Sequence, residues 1–190
     1  MVSKNIGDQL LKIARESIQY SFDNKPIDSL KVEDKELNEK KGAFVTLYSR
    51  IGRSRELRGC IGFITPTLPL WKTVAESARF AAFEDARFVP LKQDELNELL
   101  VEVSVLTIPK QMNPKLRSDI VKEIEIGKDG LIVEHSGLSG LLLPQVAVEN
   151  EWDAEEFLAQ TCLKARLPRA HWKDKGCKIS KFQCEVFSEK

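Results

Sequence analysis

Within six residues at 57–62, Leu57-Arg58-Gly59-Cys60-Ile61-Gly62, the chain places a thiol, a guanidinium and two glycines. The surrounding pattern reads as a β-strand, where glycine weakens the element unless something must approach its backbone closely. Side chains alternate faces along a strand, so Arg58, Cys60 and Gly62 are expected on one face and Leu57, Gly59 and Ile61 on the other. A cation beside a cysteine lowers the thiol pKa and favours the nucleophilic thiolate. Arg58 is the nearest such cation, with Arg50, Arg53 and Arg55 in the adjoining hairpin. The plainer explanation is that Cys60 packs as a small buried hydrophobe.

A second cluster, Phe83-Glu84-Asp85-Ala86-Arg87-Phe88, squeezes two carboxylates and an arginine between aromatics just before Pro90. Helix-end salt bridging would account for it, at small energetic gain. The functional alternative is Arg87 as an anion clamp, with Asp85 beside it. Six of the ten arginines (50, 53, 55, 58, 79 and 87) fall within thirty-eight residues, a local excess that suits a phosphate or carboxylate.

A thiol nucleophile needs a base, and the chain has two histidines, His135 and His171, neither in a motif tied to Cys60. Both read as solvated loop residues. The stretch 164–181 carries seven basic residues around Trp172 with Asp174 as its sole acid, a pattern that fits either nucleic acid or an ordinary solvated loop. No Cys-x-x-Cys or His-x-x-x-His spacing occurs, so no metal site is expected, and no glycine-rich phosphate loop is present. No cofactor is expected.

The elements that must hold these residues follow from periodicity. Apolar positions Ile6, Leu10, Ile13, Ala14 and Ile18 mark an amphipathic helix over 5–22. Residues 44–48 and 56–64 form a hairpin around Gly52, and the stretch 65–69 introduces a helix with apolar positions from Trp71 to Ala82 and Thr67 as its expected N-cap. A short helix over 94–100 and a strand over 101–108 come next. Residues 124–126 and 131–133 are expected to pair as a hairpin across Gly127-Lys128-Asp129-Gly130, followed by a strand over 138–143. Asp153 caps a helix running to about residue 166, and one last strand carries Phe182, Cys184 and Val186. Hairpin-joined strands with three or four helices predict an α+β fold with antiparallel sheets.

Length and charge bound the rest. The chain has 190 residues with 29 basic and 29 acidic side chains, so no net charge draws it to nucleic acid or anionic membrane. There is no apolar run long enough to span a bilayer and no signal-peptide pattern. Four cysteines without paired spacing fit reduced thiols and a cytoplasmic location.

These segments together resemble the AMMECR family. The unbroken hexapeptide at 57–62 carries the likeness, which continues through 42–47, 83–90, 103–107, 126–131, 140–146 and 152–168. Departures are Glu84 and Ala86 in place of the family's aspartate and proline, and Arg166 in place of its glycine. If that glycine has positive φ, arginine is strained there or the helix ends differently. The resemblance implies an α+β domain over 5–190, either single or as two interleaved lobes with the hexapeptide on the larger. It implies no reaction. It suggests a link to a Memo-like protein and a radical SAM protein, and Glu102, Ser104 and Gln145 as lining groups.

The expected function is a module binding a small anionic ligand, or a protein partner's anionic group, at Arg58, Gly59, Cys60, Gly62 and Arg87. The glycines would let the ligand reach the backbone. The alternatives are a cysteine-dependent enzyme with Cys60 as nucleophile and an RNA- or protein-interaction module using 164–181.

Overall fold

The computed structural model describes residues 4–30, 32–52 and 54–189, which divide into two units. The first comprises the chain up to Leu106 and its return from Glu185. It opens with α1 (Lys4–Phe22), whose buried stripe is the expected Ile6, Leu10, Ile13, Ala14 and Ile18. That stripe packs on α2 (Leu70–Phe83), which buries Val74, Ala75, Ala78, Ala81 and Ala82. The alanines let the backbones come close, and the buried Ser17 hydroxyl donates to the Ala75 carbonyl at 2.6 Å. Burying that hydroxyl without a partner would cost about 1–3 kcal/mol.

Against the helices lies a four-stranded sheet of β1 (Ala43–Ile51), β2 (Ser54–Phe63), β3 (Leu99–Leu106) and a terminal strand, Cys184–Ser188. Its order runs from β2 through β1 and β3 to that terminal strand, so β2 is an edge. Strand parity sets the two faces. Ala43, Val45 and Leu47 of β1 lie opposite Val105, Val103 and Val101 of β3, all buried in the core. The other face carries Phe44, Thr46 and Tyr48 beside Ser104, Glu102 and Leu100.

The second unit, Thr107–Cys184, has its own core and sheet. The short β4 (Lys110–Gln111) leads to β5 (Gly130–His135) and β6 (Leu138–Leu142). Next come α3 (Pro144–Glu149), α4 (Ala154–Lys164) and β7 (Lys178–Phe182), and the Cys184–Ser188 strand is β8. The sheet order is β4-β7-β5-β6. Ser136 and Gly137 have φ of 50° and 82°, the paired positive values of a type I′ hairpin turn. The mixed helices and antiparallel pairings make this an α+β protein.

Four local expectations change. Residues 124–126 form no strand. The turn signal at 127–130 instead leads into β5, whose hairpin partner is β6. Buried Asp129 holds that entry, accepting from the Glu125 N–H at 3.0 Å, Lys181 Nζ at 2.9 Å and Gln183 Nε2 at 3.2 Å. The expected last strand breaks at Gln183 into β7 and β8 of different sheets. There the Gln183 N–H donates to Thr107 Oγ1 and its carbonyl accepts from the Thr107 N–H. The expected helix over 94–100 is a 3-10 stretch, Gln93–Glu98, that gives way to β3. Finally, Thr67 does not cap α2. Pro69 stands at the N-cap, and the Leu70 N–H is taken by the Glu39 carbonyl.

Asp153 caps α4 as expected, accepting from the Glu156 N–H at 2.8 Å. The helix stops at Lys164, and Arg166 has φ 61°. The Leu167 N–H reaches the Cys162 carbonyl and the Arg166 N–H reaches the Leu163 carbonyl. That is a Schellman ending with arginine in the left-handed position glycine favours. Left-handed φ costs a side-chain-bearing residue about 1–2 kcal/mol, partly offset because glycine leaves the unfolded chain freer. Arg166→Gly is therefore expected to raise stability by about 0.5–1 kcal/mol in urea unfolding, and a loss of stability would contradict the assignment.

Candidate functional site

The edge position of β2 shapes its chemistry. In an antiparallel pair, residues alternate between pointing their N–H and C=O at the partner and away from it. Cys60, opposite Thr46 on β1, points its peptide groups away, toward the open edge. The Cys60 N–H donates to Asp85 Oδ2 at 2.9 Å, and its carbonyl accepts from Arg87 Nη2 at 3.3 Å. Two side chains from the turn after α2 thus do for Cys60 what a neighbouring strand would do.

That turn is built locally. The Phe88 N–H bonds the Asp85 carbonyl at 3.0 Å, closing a β-turn with Ala86 at its second position, where proline is also favoured. Alanine leaves the turn closed. Asp85 accepts from its own turn's Arg87 N–H at 3.2 Å, the Asx-turn habit of aspartate. Arg87 then closes a fork on the same carboxylate, with Nε to Oδ1 at 3.0 Å and Nη2 to Oδ2 at 2.7 Å. The Asp85 side chain is only 4% exposed, whereas that of Arg87 is 55% exposed. The Arg87 guanidinium, with help from the Cys60 N–H, holds the Asp85 carboxyl at about 2.

Strand parity breaks at Arg58. The β1–β2 register shifts between Leu47 and Tyr48, so Leu47 pairs Gly59, Tyr48 pairs Leu57, and Arg58 is the extra residue of a β-bulge. The buried Arg58 is held bidentately by Glu95, Nε to Oε2 at 2.8 Å and Nη2 to Oε1 at 3.0 Å. Glu95 Oε1 also accepts the Lys92 N–H at 2.8 Å, tying that 3-10 turn to β2. Sequence alternation could not show a bulge, because the extra residue is defined only by the partner strand.

The two glycines admit the protein's own atoms. A Cβ on Gly59 would stand 2.1 Å from the Ala81 carbonyl oxygen, so this residue lets α2 lie directly on β2. A Cβ on Gly62 would stand 2.4 Å from the Phe44 ring. The space expected for a ligand at the backbone is filled from within.

Cys60 is half-buried, with Sγ 3.2 Å from Thr46 Oγ1. Burial pushes its thiol above the ordinary value, while the Thr46 hydroxyl and then the Arg87 guanidinium pull it down. Thr46 is opposite Glu102 on β3, so one cross-strand row runs Cys60–Thr46–Glu102. The nearly buried Glu102 accepts from Ser188 Oγ at 2.7 Å and Arg55 Nη1 at 3.4 Å. Arg55 lies over the Tyr48 ring, 4.2 Å from its centroid. Ser104 is buried two pairs along on the same face, opposite Phe44. Thr46 and Glu95 were not among the expected site residues, and Thr46 becomes visible only once register is known.

Gln145 lies on α3 of the second unit. Arg79 is taken by Glu76 and Glu84, and Arg53 lies outside the described residues. Trp172 is buried in the second core, so it offers no stacking ring to nucleic acid. Arg169, Lys173 and Lys181 are paired with Glu156, Glu155 and Asp129. His135 and His171 are not solvated loop residues: their rings pack edge to face, with centroids 4.4 Å apart. Among the described residues no helix is long and apolar enough to cross a membrane.

A carboxyl lowered from 3.8 to about 2 stabilises the fold above pH 4, and that contribution is lost as pH falls through 2. Its size is on the order of 2 kcal/mol. Urea unfolding between pH 4 and pH 2 should therefore show the wild type losing about that much more than Asp85→Asn. Parallel stability curves would contradict the Asp85–Arg87–Cys60 linkage.

A family model described as AMMECR1 matches residues 11–187. Protein SSO0193 of Saccharolobus solfataricus is 44% identical over 189 residues, covering 99% of this chain and 83% of that one. Protein PF1979 of Pyrococcus furiosus is 47% identical over 187 residues, covering 96% and 88%. The crystal structure of the uncharacterized protein PH0010 from Pyrococcus horikoshii superposes with a TM-score of 0.92 at 44% identity, over 100% of this chain and 94% of that one. With the family match spanning nearly all of the described residues and relatives at least 44% identical over almost the whole of this chain, the chain belongs to the AMMECR1 family.

Proposed function

We propose that the protein is a binding module that takes a small anionic ligand, or an anionic group of a protein partner, beside Cys60 with Arg87 as the cation. The supporting observation is the state of the Arg87 guanidinium. Its Nε and Nη2 are fixed on Asp85 and the Cys60 carbonyl, yet the side chain is more than half exposed. Among the described residues, Nη1 takes no hydrogen bond. A guanidinium already fixed in place loses little further freedom when it meets an anion. The half-buried Cys60 thiol and the 41%-exposed Leu57 supply neighbouring softer surface on β2.

Arg58 plays a supporting part in this reading. Its fork is occupied by Glu95, so it fixes β2 without meeting the ligand. The inner edge of Arg87 is likewise filled by Asp85, which leaves a single outer edge for the anion. A nucleophilic Cys60 finds less support, because burial raises its pKa.

Titration with inorganic phosphate and citrate, followed by backbone amide NMR, tests the site. Saturable shifts are expected at Cys60, Arg87 and their neighbours, with affinity at least about tenfold weaker in Arg87→Ala, a loss of about 1.4 kcal/mol. Shifts that are absent, or unchanged in Arg87→Ala, would overturn the reading.

A further inference from the structure

The β5–β6 hairpin of the second unit holds a feature that an anion site on β2 does not explain. His135 ends β5, and His171 begins the short 3-10 turn His171–Lys173. Their rings meet at 81° with centroids 4.4 Å apart. Within that turn, His171 Nδ1 lies 2.9 Å from Asp174 Oδ2. A carboxylate can only accept, so Nδ1 carries a proton, and in that tautomer of the neutral ring Nε2 holds a lone pair. That Nε2 is buried with no hydrogen-bond partner, and so is Nδ1 of His135. Buried nitrogen without a partner is uncommon, and an unplaced ion or water is one standing explanation.

The surroundings leave room for an occupant. A Cβ on Gly176 would stand 3.3 Å from His135 Cε1 and 3.6 Å from its Nδ1, so the glycine keeps the space beside that nitrogen open. A groove of about 240 Å³ passes the same ring, walled by Ser136, Ser139, Gly176 and Lys178 among others. Imidazole lone pairs suit borderline first-row divalent ions, and a carboxylate on the far nitrogen of a ligating histidine is the usual outer support of such a site.

We propose that His135 Nδ1 and His171 Nε2 form a two-imidazole site for a divalent transition ion of the zinc type, with Asp174 positioning His171. Among the described residues no set of three histidine, cysteine or carboxylate groups suits a metal. The remaining coordination positions therefore fall to water or to a ligand in the groove, as in open metal sites.

Calorimetric titration of the full chain with Zn²⁺ tests this, alongside histidine-selective ¹⁵N NMR of the wild type. One saturable equivalent is expected, weakened at least about tenfold by His135→Ala and by His171→Ala. Asp174→Asn should weaken it about tenfold and Cys60→Ser should leave it unchanged. In the spectra, His171 should carry its proton on Nδ1, and Zn²⁺ should shift Nε2 of His171 and Nδ1 of His135. No saturable uptake below about 1 mM, uptake lost only in Cys60→Ser, or a metal-free His171 protonated on Nε2 would each overturn the assignment. The spectra decide the case even if a histidine variant fails to fold.

Discussion

The Asp85 carboxylate receives the hydrogen bond that the Cys60 N–H would otherwise offer to a neighbouring strand. An edge strand with unpaired peptide groups invites association with other chains, and proteins close such edges in several ways. Here the closure is a side-chain pair on a turn. Asp85 takes the N–H, Arg87 gives to the C=O, and the two lock each other. The arrangement needs α2 to end where it does, and α2 needs Gly59, because any side chain there would collide with the Ala81 carbonyl. The hexapeptide and the 83–88 segment are therefore one structural device, joined through a buried carboxylate.

Much of this architecture was legible beforehand, for identifiable reasons. The stripe of α1, the alternation of β3 and the Asp153 cap are local patterns with one reading each. The hairpin at 127–130 failed because a strong turn signal does not say what it joins, and Asp129 uses the turn to anchor Lys181 and Gln183. The break at Gln183 was hidden because β7 and β8 share one continuous alternation while belonging to different sheets. At the site, the importance of Cys60, Asp85 and Arg87 was visible from their types. The role of Arg58 was not, since a bulge depends on the partner strand.

The same contrast separates the two histidines from the cysteine. Cys60 attracts attention by its flanking residues, yet burial disfavours its thiolate. His135 and His171 look ordinary in the sequence, thirty-six positions apart by their numbering, and become unusual only when the fold brings their rings together. Spatial pairing between distant loops carries no local pattern. The AMMECR1 relatives and the Pyrococcus horikoshii structure establish the family and the fold. What the molecule does must be argued from these side chains.

Hydrogen exchange at a single amide tests the central claim most directly. Cys60 sits on an edge strand with its N–H turned away from β1, and a solvent-facing amide there would exchange freely. If Asp85 closes the edge, the wild-type Cys60 amide is as well protected as those of Gly59 and Ile61, and Asp85→Ala lowers its protection about a hundredfold while sparing theirs. A freely exchanging Cys60 amide in the wild type, or protection that survives the loss of Asp85, would contradict the account.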